Sequence, residues 1–138
     1  MSDLHPILAL DPGMRYVGVA LSNPEQSLAF ALEIIDTSRT NLLARLKFLI
    51  AEKSVAHVVI GRPLSLRGTA LPMTKQAEEL AQELKTKLGV TTQLVDERLS
   101  TREAQHLSAD KAGRPDAAAA ALFLQTYLDR QQHLRAKL

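Results

Sequence analysis

The sequence predicts an α/β fold: a mixed five-stranded sheet, antiparallel over its first three strands and parallel at its fourth and fifth, with helices on both faces. Three observations lead there. Three short apolar runs come first, separated by brief turn-rich stretches. The hydrophobic period then lengthens to that of a helix. From that point helical stretches alternate with compact β-branched runs, the pattern of βαβ crossovers. The 138 residues fit one domain spanning 1–138, and a 46% hydrophobic content is enough to bury a core.

Ile7-Leu8-Ala9-Leu10 reads as the first strand, ended by the turn signal Asp11-Pro12-Gly13. Residues 16–21, with two valines, form the second strand, and residues 28–35 the third. Short turns make these three an antiparallel meander. Leu42, Leu46, Leu49 and Ile50 then recur at helical spacing with Arg45, Lys47, Glu52 and Lys53 between them, which predicts a helix over about 38–53. Val58-Val59-Ile60-Gly61 is a strand of the kind covered on both faces. Residues 62–69 are a loop. Pro72 opens a second helix at its first position, Met73, Ala77, Leu80, Leu84 and Leu88 line one face of it, and Gly89 stops it. Residues 91–95 are the fifth strand. Ser100 and Glu103 have capping-box spacing for a third helix, and Pro115 opens a fourth that runs to about residue 130. The first, fourth and fifth strands are expected to be the parallel, central ones. Asp11 and Glu97 then fall at or just past carboxyl ends of strands, where open α/β sheets bind ligands.

Composition excludes several chemistries. With no cysteine there is no disulfide, no thiolate nucleophile and no Cys-based zinc site, which suits a reducing compartment. His5, His57, His106 and His133 show no paired spacing, so a histidine zinc site and a Ser-His triad are not expected. The N-terminus lacks a basic start followed by a long apolar stretch, and the longest apolar run, residues 117–124, is far too short to span a bilayer. A cytoplasmic protein with no membrane partner is the expectation. The formal charge of +2 permits a nucleic-acid partner without arguing for one.

Three acidic positions carry the chemistry. Each has a plain structural account when taken alone. Asp11 suits a hairpin turn. Asp96-Glu97 precede Ser100, which caps a helix while the charges are solvated. Asp116, in the first turn of a helix, complements the helix dipole. Together they form an all-oxygen donor set on rigid elements, which Mg²⁺ or Mn²⁺ prefers. Two such ions about 4 Å apart can stabilise the attacking and leaving oxygens of a phosphodiester. Asp11, from a central strand, is the candidate bridging ligand; Glu97 completes one ion's shell and Asp116 the other's. Arg15, Arg62, Arg67, Arg98, Lys111 and Arg114 fall in the loops around these carboxylates, as phosphate binding requires. Arg98 and Arg114 adjoin proposed ligands, and Ser100 also has a capping role. Aromatic residues make up only 4%, so base stacking is limited.

Four stretches resemble the YqgF (RuvX) family, relatives of the RuvC Holliday-junction resolvases within the ribonuclease-H-like superfamily. They are residues 11–20; Gly61-Arg62-Pro63-Leu64 with Gly68-Thr69; Asp96-Glu97-Arg98-Leu99-Ser100-Thr101; and Asp116 with its alanines and Leu124-Gln125-Thr126-Tyr127-Leu128. The third is the most specific. The resemblance implies a ribonuclease-H-like fold and a metal-dependent nuclease, usually proposed to trim the 5′ end of precursor 16S rRNA, with some relatives linked to branched DNA. It makes Asp11, Glu97 and Asp116 the catalytic metal ligands. The chain departs from the family at Arg62, where a Leu is common, at Arg114, where a Lys often precedes the last Asp, and in the short stretch between Thr101 and Asp116. The first two departures keep or add positive charge.

Rival readings remain. One is a non-catalytic nucleic-acid-binding module on the same fold, whose mark is the loss of one carboxylate; all three are present. The other is an actin-like ATPase, which needs two such domains to enclose ATP; the chain also lacks a glycine-rich P-loop. Resolution of a symmetric junction needs two active sites, so under that reading a homodimer is expected, whereas a trimming enzyme needs none.

Overall fold

The computed structural model describes residues 4–62, 72–96 and 117–136. Along the chain run β1 (Ile7–Pro12), β2 (Tyr16–Ser22), β3 (Ala29–Asp36), α1 (Leu42–Glu52), β4 (His57–Arg62), α2 (Pro72–Glu83), a π-helical turn (Leu84–Leu88), β5 (Thr91–Asp96) and α3 (Ala118–Ala136). The strands form one sheet in the order β3-β2-β1-β4-β5, with β1, β2 and β3 antiparallel and β1, β4 and β5 parallel. The predicted sheet is therefore observed, with one correction. The central parallel strands are β1 and β4, while β5 pairs only with β4 among the described residues and stands at an edge. Its alternating exposed and half-buried residues, with Thr91 and Gln93 outward, suit that place.

Strand alternation divides the core in two. Leu8, Leu10, Val17, Val19, Val58 and Ile60 pack on α1, α2 and the π-helical turn through Leu46, Leu49, Ala77, Leu80 and Leu84. On the other face Ile7, Ala9, Ala20 and Val59 meet Ala120, Phe123, Leu124, Tyr127 and Leu128 of α3. The helical face read from Ala77, Leu80 and Leu84 is buried as expected, and helices cover both faces of the sheet.

Several element ends differ from the sequence reading. Arg62, expected in a loop, is the last residue of β4, because its pairing with Asp96 prolongs the ladder. Asp11 and Pro12 belong to β1 itself, and the turn begins at Gly13, whose N–H donates to the Tyr16 carbonyl at 2.8 Å. A Cβ at Gly13 would sit 2.7 Å from that oxygen, so only glycine closes the turn without a shift. The first helix starts at Leu42 rather than near Ser38. The Ser38 N–H and hydroxyl both donate to Asp36 Oδ1, at 3.0 and 2.7 Å, holding Ser38 in a turn, and the Asn41 side chain caps the helix by accepting from the Ala44 N–H. The last helix continues past Arg130 to Ala136. Gly89 does end the second helical stretch, in the left-handed region at φ 68°. The third predicted helix, from Ser100, and the Pro115 start of the fourth lie outside the described residues.

Candidate active site

β1 lies in the middle of the sheet and faces α3 with every second residue: Ile7, Ala9 and then Asp11. Ile7 and Ala9 are buried beneath the helix, whereas Asp11, near the carboxyl end of the strand, is half-buried and opens toward solvent. The ladder fixes its backbone: Asp11 is the register partner of Gly18 in β2. On the other side Leu10 pairs with Ile60 of β4, so Gly61 follows beside Asp11. The carboxylate is thus flanked on both neighbouring strands by residues without side chains. A Cβ built at Gly18 would lie 3.6 Å from the Asp11 Cβ and 3.4 Å from the Ala120 Cβ, so the first turns of α3 approach this point closely. Among the described residues no hydrogen bond or ion pair engages the Asp11 carboxylate.

β5 ends at the same edge. Gly61 pairs with Val95, and Arg62 with Asp96. Two strand spacings separate β1 from β5, roughly 9–10 Å. Val95 packs with the α3 face of the sheet, as Ala9 does. Arg62 is half-buried at the last position of β4, and no partner engages its guanidinium among the described residues.

Arg15 is held differently. Its Nε and Nη2 donate to the two oxygens of Asp36, each at 3.0 Å, and the guanidinium lies 5.0 Å from the Tyr16 ring centroid. These hydrogen bonds, with those of Ser38, hold the Asp36 carboxyl well below the usual carboxylate range and raise Arg15 in turn. The Arg15 carbonyl accepts from the Thr37 N–H at 2.8 Å and its hydroxyl at 2.6 Å, so the β1–β2 turn is fastened to the end of β3.

Of the site residues read from the sequence, Asp11, Arg15 and Arg62 are described and all three stand at the carboxyl-end edge of the sheet or in its first turn. Glu97, Arg98, Ser100, Arg114 and Asp116, with Arg67 and Lys111, lie outside the described residues. Among the described residues no three His, Asp or Glu side chains converge as a metal cluster. Gly18 and Gly61, placed by the sequence only within strand and motif stretches, and Asp36 have site roles that register and hydrogen bonding reveal. A glycine inside a strand-like run is itself a signal of close backbone approach, and Gly18 carried it.

A family described as "RuvX: Holliday junction resolvase" matches residues 5–130. A protein of Dictyoglomus turgidum named "Putative pre-16S rRNA nuclease" is 35% identical over 131 residues, covering 89% of this chain and 93% of its own. One of the same name from Bordetella parapertussis is 39% identical over 124 residues, covering 89% and 92%. Among solved structures, T. thermophilus RuvC in complex with a Holliday junction substrate matches with a TM-score of 0.59 and 18% identity, over 94% of this chain and 96% of that one. This last likeness concerns the fold, which is RuvC-like. With a family match along nearly the whole chain and full-length relatives above 30% identity, the chain belongs to the RuvX family.

Proposed function

We propose that the chain is a metal-dependent nuclease that hydrolyses phosphodiester bonds in the cytoplasm, processing the 5′ end of precursor 16S rRNA. The observation that carries the reading is the setting of Asp11. It is a half-buried carboxylate on a central strand, with no described partner and with glycine on both flanking strands. A rigid acceptor kept free of hydrogen bonds in a space bounded by glycine and alanine is suited to a cation. Family membership and relatives named for pre-16S rRNA cleavage support the same reading.

The donor set fits Mg²⁺ or Mn²⁺, since oxygen ligands are offered without cysteine or paired histidine. When bound, two such ions stabilise the entering and departing oxygens of the scissile phosphate. In this proposal Asp11, Glu97 and Asp116 would hold the ions. In the same proposal Arg62, Arg15, Arg98, Ser100 and Arg114 bind the phosphate backbone of the substrate. Arg15 can do so while bound to Asp36, because a guanidinium has five N–H donors and Asp36 takes two.

A second reading, cleavage of branched DNA, is favoured by the family's description and by the fold shared with the junction-bound RuvC. It needs two active sites in one assembly, hence a homodimer. End-labelled precursor RNA and a four-way DNA junction, offered side by side with either metal, separate the two readings. An Asp11→Asn protein that stays folded and cuts as well as wild type would overturn both.

A further inference from the structure

We infer that Gly18 is a positioning residue for the proposed metal site, setting the gap between the Asp11 carboxylate and the first turns of α3. The inference rests on the metal-site reading of Asp11 and deepens it. Two independent observations carry it. First, the β1–β2 register puts Gly18 directly opposite Asp11 on the strand face covered by α3. Second, a Cβ at Gly18 would meet three groups at once: the Ala120 Cβ at 3.4 Å, the Asp11 Cβ at 3.6 Å and Ile34 Cδ1 at 3.7 Å.

These distances make a graded prediction. A single methyl is at ordinary van der Waals contact on all sides, so alanine fits without movement. Valine adds two methyls to a space already filled at Cβ. Ala120, at 0% exposure, is enclosed as well and leaves no slack in that direction. Ile34 Cδ1, the end of a half-buried side chain, can give way; crowding toward the other two neighbours lifts α3 from the sheet or turns the Asp11 side chain, and either changes the geometry offered to a cation. The strand itself has no objection to valine, which is a better strand former than glycine. A loss at this site is therefore a loss of spacing rather than of the sheet. Ala120 is the complementary half of the device, since removing its methyl returns part of the volume that valine takes.

The test is Mn²⁺ binding without substrate, by calorimetric titration or by the decline of the free-ion electron-spin signal. Wild type, Asp11→Asn, Gly18→Ala, Gly18→Val and the double variant Gly18→Val with Ala120→Gly are compared, each checked for folding by circular dichroism. The expected result is wild-type affinity in Gly18→Ala, a weakening of about tenfold or more in Gly18→Val, and substantial recovery in the double variant. Wild-type affinity in a folded Gly18→Val protein overturns the inference while leaving the metal site intact. Failure of wild type to bind Mn²⁺, or equal binding by Asp11→Asn, overturns the metal-site reading and the inference with it. If Gly18→Val does not fold, Ala120→Val crowds the same space from the helix side and decides in its place: weakened binding supports the inference and wild-type binding overturns it.

Discussion

Arg15 and Asp36 form a two-point ion pair, each guanidinium nitrogen 3.0 Å from a different carboxylate oxygen, that locks the turn after β1 to the end of β3. Asp36 is thereby held charged well below the usual carboxylate range. A carboxyl with a lowered folded-state pKa contributes stability above its unfolded pKa, and that contribution disappears as pH falls through the folded value. Wild type is therefore more stable than Asp36→Asn at pH 6, and the gap narrows as pH falls below about 4. Urea midpoints of both proteins between pH 6 and pH 2 check this. A gap independent of pH would show that the pair does not report on Asp36 ionisation.

Arg62 and Arg15 separate by role. Arg62 ends β4 without a described partner, whereas Arg15 already serves Asp36. Arg62→Ala is expected to weaken RNA binding and to lower the slope of log K against log salt by about one. Arg15→Ala is expected to lower thermal stability more than Arg62→Ala does. Filter binding across a salt series, with thermal melts of the same proteins, distinguishes the two.

Gln125 joins α3 to the start of β3. Its Oε1 accepts from the Ala29 N–H at 2.9 Å, and its Nε2 donates to the Ser27 carbonyl at 3.0 Å and to Asp129 at 3.0 Å. The start of edge strand β3 is thus pinned to α3. Gln125→Ala leaves two part-buried backbone groups to find other partners and is expected to cost about 1–3 kcal/mol, with faster amide exchange at Ala29 than at β1. Unchanged stability and exchange would refute the pinning role.

Much of this architecture is legible in the sequence, and the reasons are specific. The strands are legible as compact apolar runs because helices cover both faces of the sheet, so that Ile7 to Leu10, Val17 to Ala20 and Val58 to Ile60 are buried consecutively. Helical spacing found the buried face of α2. Boundaries were harder. Asp-Pro-Gly reads as a turn, yet Asp11 and Pro12 extend β1, because the pairing of Asp11 with Gly18 and of Pro12 with Val17 prolongs the ladder. Ser38 resembles a helix start, but Asp36 captures it and Asn41 supplies the cap. Strand order was beyond local reading, because whether β5 is central or at an edge depends on what pairs with it. At the site, Asp11 was legible as an acid after an apolar run. Gly18 inside a strand-like run signals a close approach, but that it and Gly61 flank Asp11 follows only from register.

If carboxylates gather about a metal, the free protein bears their mutual repulsion and bound metal relieves it. Mg²⁺ or Mn²⁺ at about 100 times its dissociation constant then raises stability by about 2.7 kcal/mol in wild type. Asp11→Asn is expected to gain much less, while being no less stable than wild type without metal. Thermal melts with and without metal decide it. An equal rise in both proteins would mean that the ion acts elsewhere.

The most direct test is cleavage of end-labelled precursor 16S RNA, beside a four-way DNA junction, by wild type and folded Asp11→Asn in Mg²⁺, in Mn²⁺ and in chelator. The account predicts metal-dependent cutting of the RNA by wild type and its loss, by about a hundredfold or more, in Asp11→Asn. Cutting that persists in the variant or in chelator would contradict it. No cutting of either substrate by wild type would transfer the argument to a protein that binds nucleic acid without cleaving it.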